Sequence, residues 1–274
     1  MIGVSIGASF TAALIIGPLV AASFGLQGIF WLTALLAILG VFCLYFLVPT
    51  PLTITKDRNT RIFKDQIFDV LKHPELVKLD IGIFALHLCL TALFIAVPIT
   101  LQQRLEVPGQ DQWLVYLTVM VLSFFAMVPF IIYGEKKQQM KKTFLFAISL
   151  LMLSAFSFVL TQTTFAYFWC SLFFYFMAFN LLEASLPSLV SKLAPAANKG
   201  TAMGVYSTSQ FLGAFVGGVS GGWLLSRYQE EGVYLLVGSV CLIWLLIARL
   251  MKNPTNETGM TLYFSKMIEA NKID

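Results

Sequence analysis

The sequence predicts an all-α polytopic membrane protein, and three observations carry that prediction. Of 274 residues, 58% are hydrophobic and only 12% charged, about half the charged fraction of an ordinary soluble domain. The apolar residues come in runs of about 20 or more, the length that crosses a hydrocarbon core as a helix. The charged residues collect between those runs, and mean hydropathy is +0.82. The net charge of +4 therefore reports orientation in a lipid bilayer, and nucleic acid is not an expected partner.

About eight transmembrane helices are expected, at residues 2–24 (a), 28–48 (b), 79–101 (c), 113–133 (d), 143–161 (e), 165–190 (f), 201–225 (g) and 233–251 (h). Span a has no basic n-region and the length of a span, so it reads as a helix rather than a cleavable signal. Pro49-Thr50-Pro51 ends span b, since proline cannot donate to a continuing helix. In the connection that follows, Phe63, Ile67, Val70 and Leu71 recur at helical spacing among basic residues. That pattern predicts a short amphipathic helix at the membrane surface. The residues from Asn253 onward are mostly polar and read as a tail.

The basic residues orient these spans. The b–c connection holds Lys56, Arg58, Arg61, Lys64, Lys72 and Lys78, and the d–e loop holds Lys136, Lys137, Lys141 and Lys142. Lys192 and Lys199 lie between f and g, and Arg249, Lys252, Lys266 and Lys272 at the C-terminal end. Of the 18 Lys and Arg, only Arg104 and Arg227 fall on the other side. The positive-inside rule then predicts an integral plasma (inner) membrane protein with both termini cytoplasmic.

Span g carries an internal signal. Gly213, Gly217 and Gly221 recur every four residues, with Gly218 and Gly222 as a second row. In water each glycine weakens a helix by about 1 kcal/mol relative to alanine, whereas in lipid the same spacing makes a groove for a neighbouring helix. Shifted by 201 residues, this stretch lies over span a: Gly204, Val205, Phe211, Ala214 and Gly218 fall on Gly3, Val4, Phe10, Ala13 and Gly17. Gly28-Ile29-Phe30 then matches Gly232-Val233-Tyr234 after three extra residues. A parallel repeat follows. If a–b repeats as g–h, each unit should hold six spans, c–h being one complete unit and a–b the end of another, with about four spans expected upstream.

Two six-span units, a basic central linker and cytoplasmic termini resemble the major facilitator superfamily, over essentially residues 2–251. The closest resemblance within it is to the drug–proton antiporters. The NLLEASLPSLVSKLAP run at 180–195 and KGTAMGVYSTSQFLGAF at 199–215 look like the YajR branch of that group, in which a folded cytoplasmic domain follows the last span. Gly17-Pro18 resembles the antiporter motif, with Ala13, Ala21 and Ala22 where glycine is usual. Gly134, Glu135 and Lys136 resemble a second copy of the family's acidic-then-basic loop motif, with Gln138 and Gln139 in place of a glycine and a base. The resemblance implies a division into residues 1–48, the last two helices of an N-terminal bundle; 49–78, the linker; 79–251, the C-terminal six-helix bundle; and 252–274, the tail. It also implies proton-coupled efflux of small drug-like molecules, with the bilayer, a small-molecule substrate and protons as partners. As it stands the chain is expected to be inactive without an N-terminal fragment.

Glu183 is the one acid well inside a span, and a carboxylate there must pair, face water or stay protonated. Two readings stand: a proton-coupling group, or a fixed pair with Lys192 or the d–e loop. On span c, Asp80, Phe84, His87, Thr91, Phe94 and Pro98 share one face. His87 is a second proton-coupling candidate, because imidazole titrates near neutrality; the other reading is a bond to Thr91 or a backbone carbonyl. Asp80 reads as a helix-start acid favoured by the helix dipole. The family analogy places Asn180, Thr91, Phe94 and Phe176 on the cavity wall. The aromatic residues Phe168, Phe173, Phe174, Phe176 and Phe179 read either as a drug pocket or as packing surface. Cys43, Cys89, Cys170 and Cys241 are scattered singly and read as small buried hydrophobes. No cofactor, metal constellation, phosphate loop or nucleophile–base pair is legible, so ATP-driven and hydrolytic chemistry have no support. The competing class is a native eight-span membrane enzyme or assembly protein, which gives no reason for the end pairs to match.

Overall fold

The computed structural model describes residues 2–49, 63–137, 139–195 and 198–252. Lys56, Arg58, Arg61, Gln138 and the tail from Asn253 lie outside the described residues, as do the side chains of Pro18 and Phe63. Among the described residues the regular elements are all helices: α1 (Ile2–Leu47), α2 (Phe63–Lys72), α3 (Pro74–Gln103), α4 (Gln112–Lys136), α5 (Met140–Thr161), α6 (Phe165–Leu193) and α7 (Lys199–Arg249). Helix is the expected answer in lipid, because it satisfies every backbone donor and acceptor within its own segment.

Six of these helices are long and apolar enough to cross a membrane, against the eight expected. The difference comes from α1 and α7, each of which runs through two expected spans without a loop. Each breaks at one residue, Gly25 (φ 65°, ψ −171°) in α1 and Gln229 (φ 56°, ψ −160°) in α7. These two residues are equivalent in the b–h register of the repeat, and their backbone angles nearly coincide. The glycines three residues on also match. A Cβ on Gly28 would come within 2.5 Å of Phe24 Cβ, and one on Gly232 within 2.5 Å of Tyr228 Cβ. The same tight corner is built twice. At Gly25 the positive φ is free of steric penalty; at Gln229 it is not.

That corner is held from outside. Arg104, which ends α3, donates from Nη2 to Gln229 Oε1 and to Glu230 Oε2, both at 3.2 Å. It also lies 3.7 Å from Glu231, whose carboxylate accepts from Gln162, just past the end of α5, at 3.0 Å. Just inside, the hydroxyls of Thr100 and Tyr234 hydrogen-bond at 2.6 Å. At the opposite end, Lys78 Nζ donates to the Leu250 carbonyl at 2.9 Å and to Glu75 at 2.8 Å. Lys141 Nζ donates to the carbonyls of Arg249 and Met251. Two cations thus sit on the last carbonyls of α7, where the helix dipole favours positive charge.

The core is arranged around α3, which packs along α7 and also against α6. Leu79, Ile83, Leu86, Leu93, Ala96 and Leu101 are its buried stripe. The helix begins at Pro74, where His73 Nδ1 accepts from the Leu76 amide at 3.4 Å. This corrects the reading of Asp80 as a helix-start acid: Glu75 occupies the first turn, and Asp80 lies buried more than a turn further in. The amphipathic α2 turns Val70 into the core and leaves Phe68 and Leu71 exposed. An apolar cleft separates Ile67 and Leu71 from Gly204, Val205 and Thr208 of α7. α1 meets α6 and α4, but from Phe30 to Val48 every residue except Leu32 is exposed.

The cysteines correct a second expectation. Cys43 and Cys170 are exposed, not buried. Cys89 and Cys241 are fully buried, and the α3–α7 contact brings their sulfurs to 3.7 Å, a neighbourhood that single scattered cysteines do not announce.

Candidate functional site

The glycine rows divide by face. A Cβ on Gly213 would overlap the Phe84 carbonyl, and one on Gly217 would overlap the Leu88 carbonyl and Thr91 Oγ1. At Gly221 it would lie 3.0 Å from Ala92 Cα. This row lets α7 approach the backbone of α3, and Thr91 Oγ1 reaches across to the Ala214 carbonyl at 3.0 Å. Gly218 and Gly222 have nothing within 4 Å of a Cβ, and neither does Gly17. They are not part of this contact.

The close approach brings polar groups from three helices together. His87 on α3 presents Nδ1 to Glu183 Oε2 on α6, 4.0 Å away, both side chains being nearly buried. On its other edge, His87 Nε2 lies 2.8 Å from the amide nitrogen of Gln210 on α7. Phe179, one turn before Glu183, tilts its ring at 6.1 Å from the imidazole. Asp80 lies two turns before His87 on α3 and Tyr206 one turn before Gln210 on α7, both buried. Asp80 Oδ2, His87 Nδ1, Glu183 Oε2 and the Tyr206 hydroxyl are buried with no hydrogen-bond partner among the described residues. Buried polar atoms are normally bonded, so the facing atoms of His87 and Glu183, both without a hydrogen bond, make this pair a candidate site.

Each alternative read from the sequence takes a definite form here. Lys192 faces Glu135 at 4.0 Å, not Glu183. Thr91 bonds the His87 carbonyl at 2.8 Å, and the imidazole lies among Gln210, Glu183 and, one turn back on its own helix, the Ile83 carbonyl. Asn180 donates to Ser123 of α4 at 3.1 Å. Phe94 stacks on Tyr116 and meets Phe176 edge-on, centroids 5.7 and 6.1 Å apart. Phe168, Phe176 and Phe179 are buried and Phe174 is exposed, so the phenylalanine-rich helix does not present one aromatic face. Gly134 closes the α4–α5 turn, its carbonyl accepting from the Gln139 amide at 3.0 Å, and a Cβ there would meet Thr143 Oγ1 at 2.8 Å. Glu135 and Lys136 end α4 beside it.

Neither Tyr206 nor Gln210 stands out in the sequence. The available signal was their spacing, since Tyr206, Gln210, Gly213 and Gly217 share one face of α7.

A family model described as Major Facilitator Superfamily matches residues 1–218 and 180–262. The chain belongs to the major facilitator superfamily. This member is 40% identical over 271 residues to the inner membrane transport protein YajR of Escherichia coli (strain K12), covering 99% of the chain and 60% of that protein. It is 30% identical over 257 residues to an uncharacterized transporter of Buchnera aphidicola subsp. Baizongia pistaciae, covering 90% and 63%. It is 31% identical over 220 residues to another from Buchnera aphidicola subsp. Acyrthosiphon pisum, covering 79% and 55%. The chain thus spans 55–63% of the length of these curated relatives. They are named transporters, and this superfamily member is an integral membrane protein of a transporter family, not an enzyme.

Proposed function

We propose that the chain supplies the proton-handling half of a drug–proton antiporter, exporting small drug-like molecules across the inner membrane. The observation that carries this reading is the acid–base pair of Glu183 and His87, buried on facing helices 4.0 Å apart. An acid inside a bilayer is costly when ionised and unpaired. Opposite an imidazole it can hold a proton in one conformation and release it in another, as the site alternates between wet and dry. The gap exceeds a hydrogen bond, so a small shift of α3 against α6 changes the strength of the pair. Rocking of one bundle against another supplies such a shift.

In this reading α1 and α7 each cross twice, giving eight crossings, with both termini cytoplasmic. The matched corners at Gly25 and Gln229 support that count, as does the length of α7, whose 51 residues would extend about 76 Å as one straight helix. α3 to α7 form a six-crossing bundle, and α1 supplies two helices of the other, whose exposed Phe30–Val48 stretch is available to further helices. The substrate lies between the bundles, against the α6 and α3 faces that carry Phe176 and Phe94.

The test co-expresses this chain with a four-span N-terminal fragment of a relative and measures substrate uptake into proteoliposomes driven by a pH gradient. Glu183→Gln should abolish the gradient-driven component and leave substrate binding measurable. Wild-type gradient-driven uptake by that variant would refute the coupling role.

A further inference from the structure

Gln210 is 123 residues from His87 in sequence and touches it through one edge only, amide nitrogen to Nε2 at 2.8 Å. An amide NH₂ donates and cannot accept, so the ring nitrogen facing it must carry the lone pair. The opposite nitrogen, Nδ1, faces a carboxylate oxygen of Glu183 at 4.0 Å, and a carboxylate only accepts. Both edges of the ring therefore demand the same arrangement, with the proton of the neutral imidazole on Nδ1. From these contacts we propose that Gln210 is a positioning residue: it holds His87 as the Nδ1–H tautomer and aims that proton at Glu183.

The proposal rests on the reading of Glu183 and His87 as a proton-exchanging pair, and it specifies how the exchange is tied to α7. For a proton to pass through the ring, Nε2 must take a second proton from water, giving the imidazolium; the Nδ1–H bond then breaks as its proton moves to the ionised Glu183 Oε2, leaving a neutral ring. That second proton finds the Gln210 NH₂ in its way. It is accommodated when the amide turns to present Oε1 as acceptor, or when α7 withdraws. One proton enters at Nε2, one leaves from Nδ1, and no other bond changes. Gln210 thus makes relay through His87 conditional on a turn of its own amide or a withdrawal of α7. The groups against the ring are Glu183 and Phe179 from α6, Gln210 from α7 and the Ile83 carbonyl from α3, which competes with Glu183 for the Nδ1 proton; the titratable Asp80 and Tyr206 lie on α3 and α7, two turns and one turn before His87 and Gln210.

The chain has two histidines, His73 and His87, which makes ring ¹⁵N spectroscopy tractable. The purified 274-residue chain, labelled in histidine and reconstituted in nanodiscs, is observed at a pH where His87 is neutral, with His73→Asn used for assignment. The wild type should show a proton-bearing Nδ1 and a bare Nε2. Gln210→Met, which keeps the length and removes the donor, should lower the ratio of Nδ1–H to Nε2–H about fivefold to tenfold, the weight of one buried hydrogen bond. Gln210→Glu, which can only accept when ionised, should move the proton to Nε2. A wild-type ring protonated at Nε2, or an unchanged tautomer in both variants, overturns the role of Gln210. The wild-type spectrum alone decides should a variant fold poorly. Failure of the two readings is separable, because gradient-driven uptake by Glu183→Gln bears on coupling and leaves the tautomer measurement as it was.

Discussion

Gly217→Ala should destabilise the protein by about 2–3 kcal/mol, while Gly218→Ala, one residue away on the same helix, should not. At Gly217 the added carbon would overlap the Leu88 carbonyl and Thr91 Oγ1 and lie 2.8 Å from Leu88 Cα. Two of those three atoms are backbone, so relief requires α7 to move off α3. Overpacking of this kind costs about 1–3 kcal/mol. The same movement stretches the Thr91–Ala214 hydrogen bond, and an interhelical bond in a membrane contributes about 0.6 kcal/mol on average. At Gly218 nothing lies within 4 Å of the new carbon, and alanine's better helix propensity gives a change between zero and about 1 kcal/mol of stabilisation. The assay is reversible unfolding of the purified chain in mixed detergent, followed by helical circular dichroism. Agreement of the two variants within about 0.5 kcal/mol, the ordinary scatter of surface substitutions, would refute the assignment of the Gly213–Gly217–Gly221 row to the α3 contact.

Arg104→Ala should cost about 2 kcal/mol in the same assay, because it leaves the buried Glu230 uncompensated at a strained corner; Arg104→Ala with Glu230→Gln should recover part of it, and equal loss in the double variant would count against the clamp. A green fluorescent protein fused after Asp274 should fluoresce, and alkaline phosphatase at the same place should be inactive, as a cytoplasmic C-terminus requires; the reverse pattern would invert the topology. The 274-residue chain purified alone should show no saturable, gradient-driven uptake in proteoliposomes, since rocking needs two bundles around one site; robust transport would instead require a dimer that completes its own cavity.

Much of the candidate site was legible in part. Glu183 and His87 stand out in the sequence because an ionisable group inside an apolar run is rare and needs a reason. Their pairing was not legible, since Lys192 is nearer to Glu183 in sequence and is equally basic. Helix geometry settles it: α6 carries Lys192 outward to Glu135, and turns Glu183 inward to α3. The two glycine rows looked alike in sequence, yet only one meets a neighbour, because adjacent residues on a helix point about 100° apart.

By itself, the sequence determined the class and the segments that are helical. It could do so because lipid leaves the backbone few options: a segment of sufficient length and apolarity satisfies its own hydrogen bonds or does not insert. The repeat between the two end pairs was legible for the same reason, as both pairs must build the same corner. Which face of each helix meets which neighbour was decided only in the tertiary structure. Lipid tails are as apolar as a protein core, so a membrane helix can be hydrophobic all round and its pattern does not mark the buried side. That is why the Gln210–His87 and Cys89–Cys241 contacts, each joining α3 to α7 across more than a hundred residues, appear only once the helices are packed.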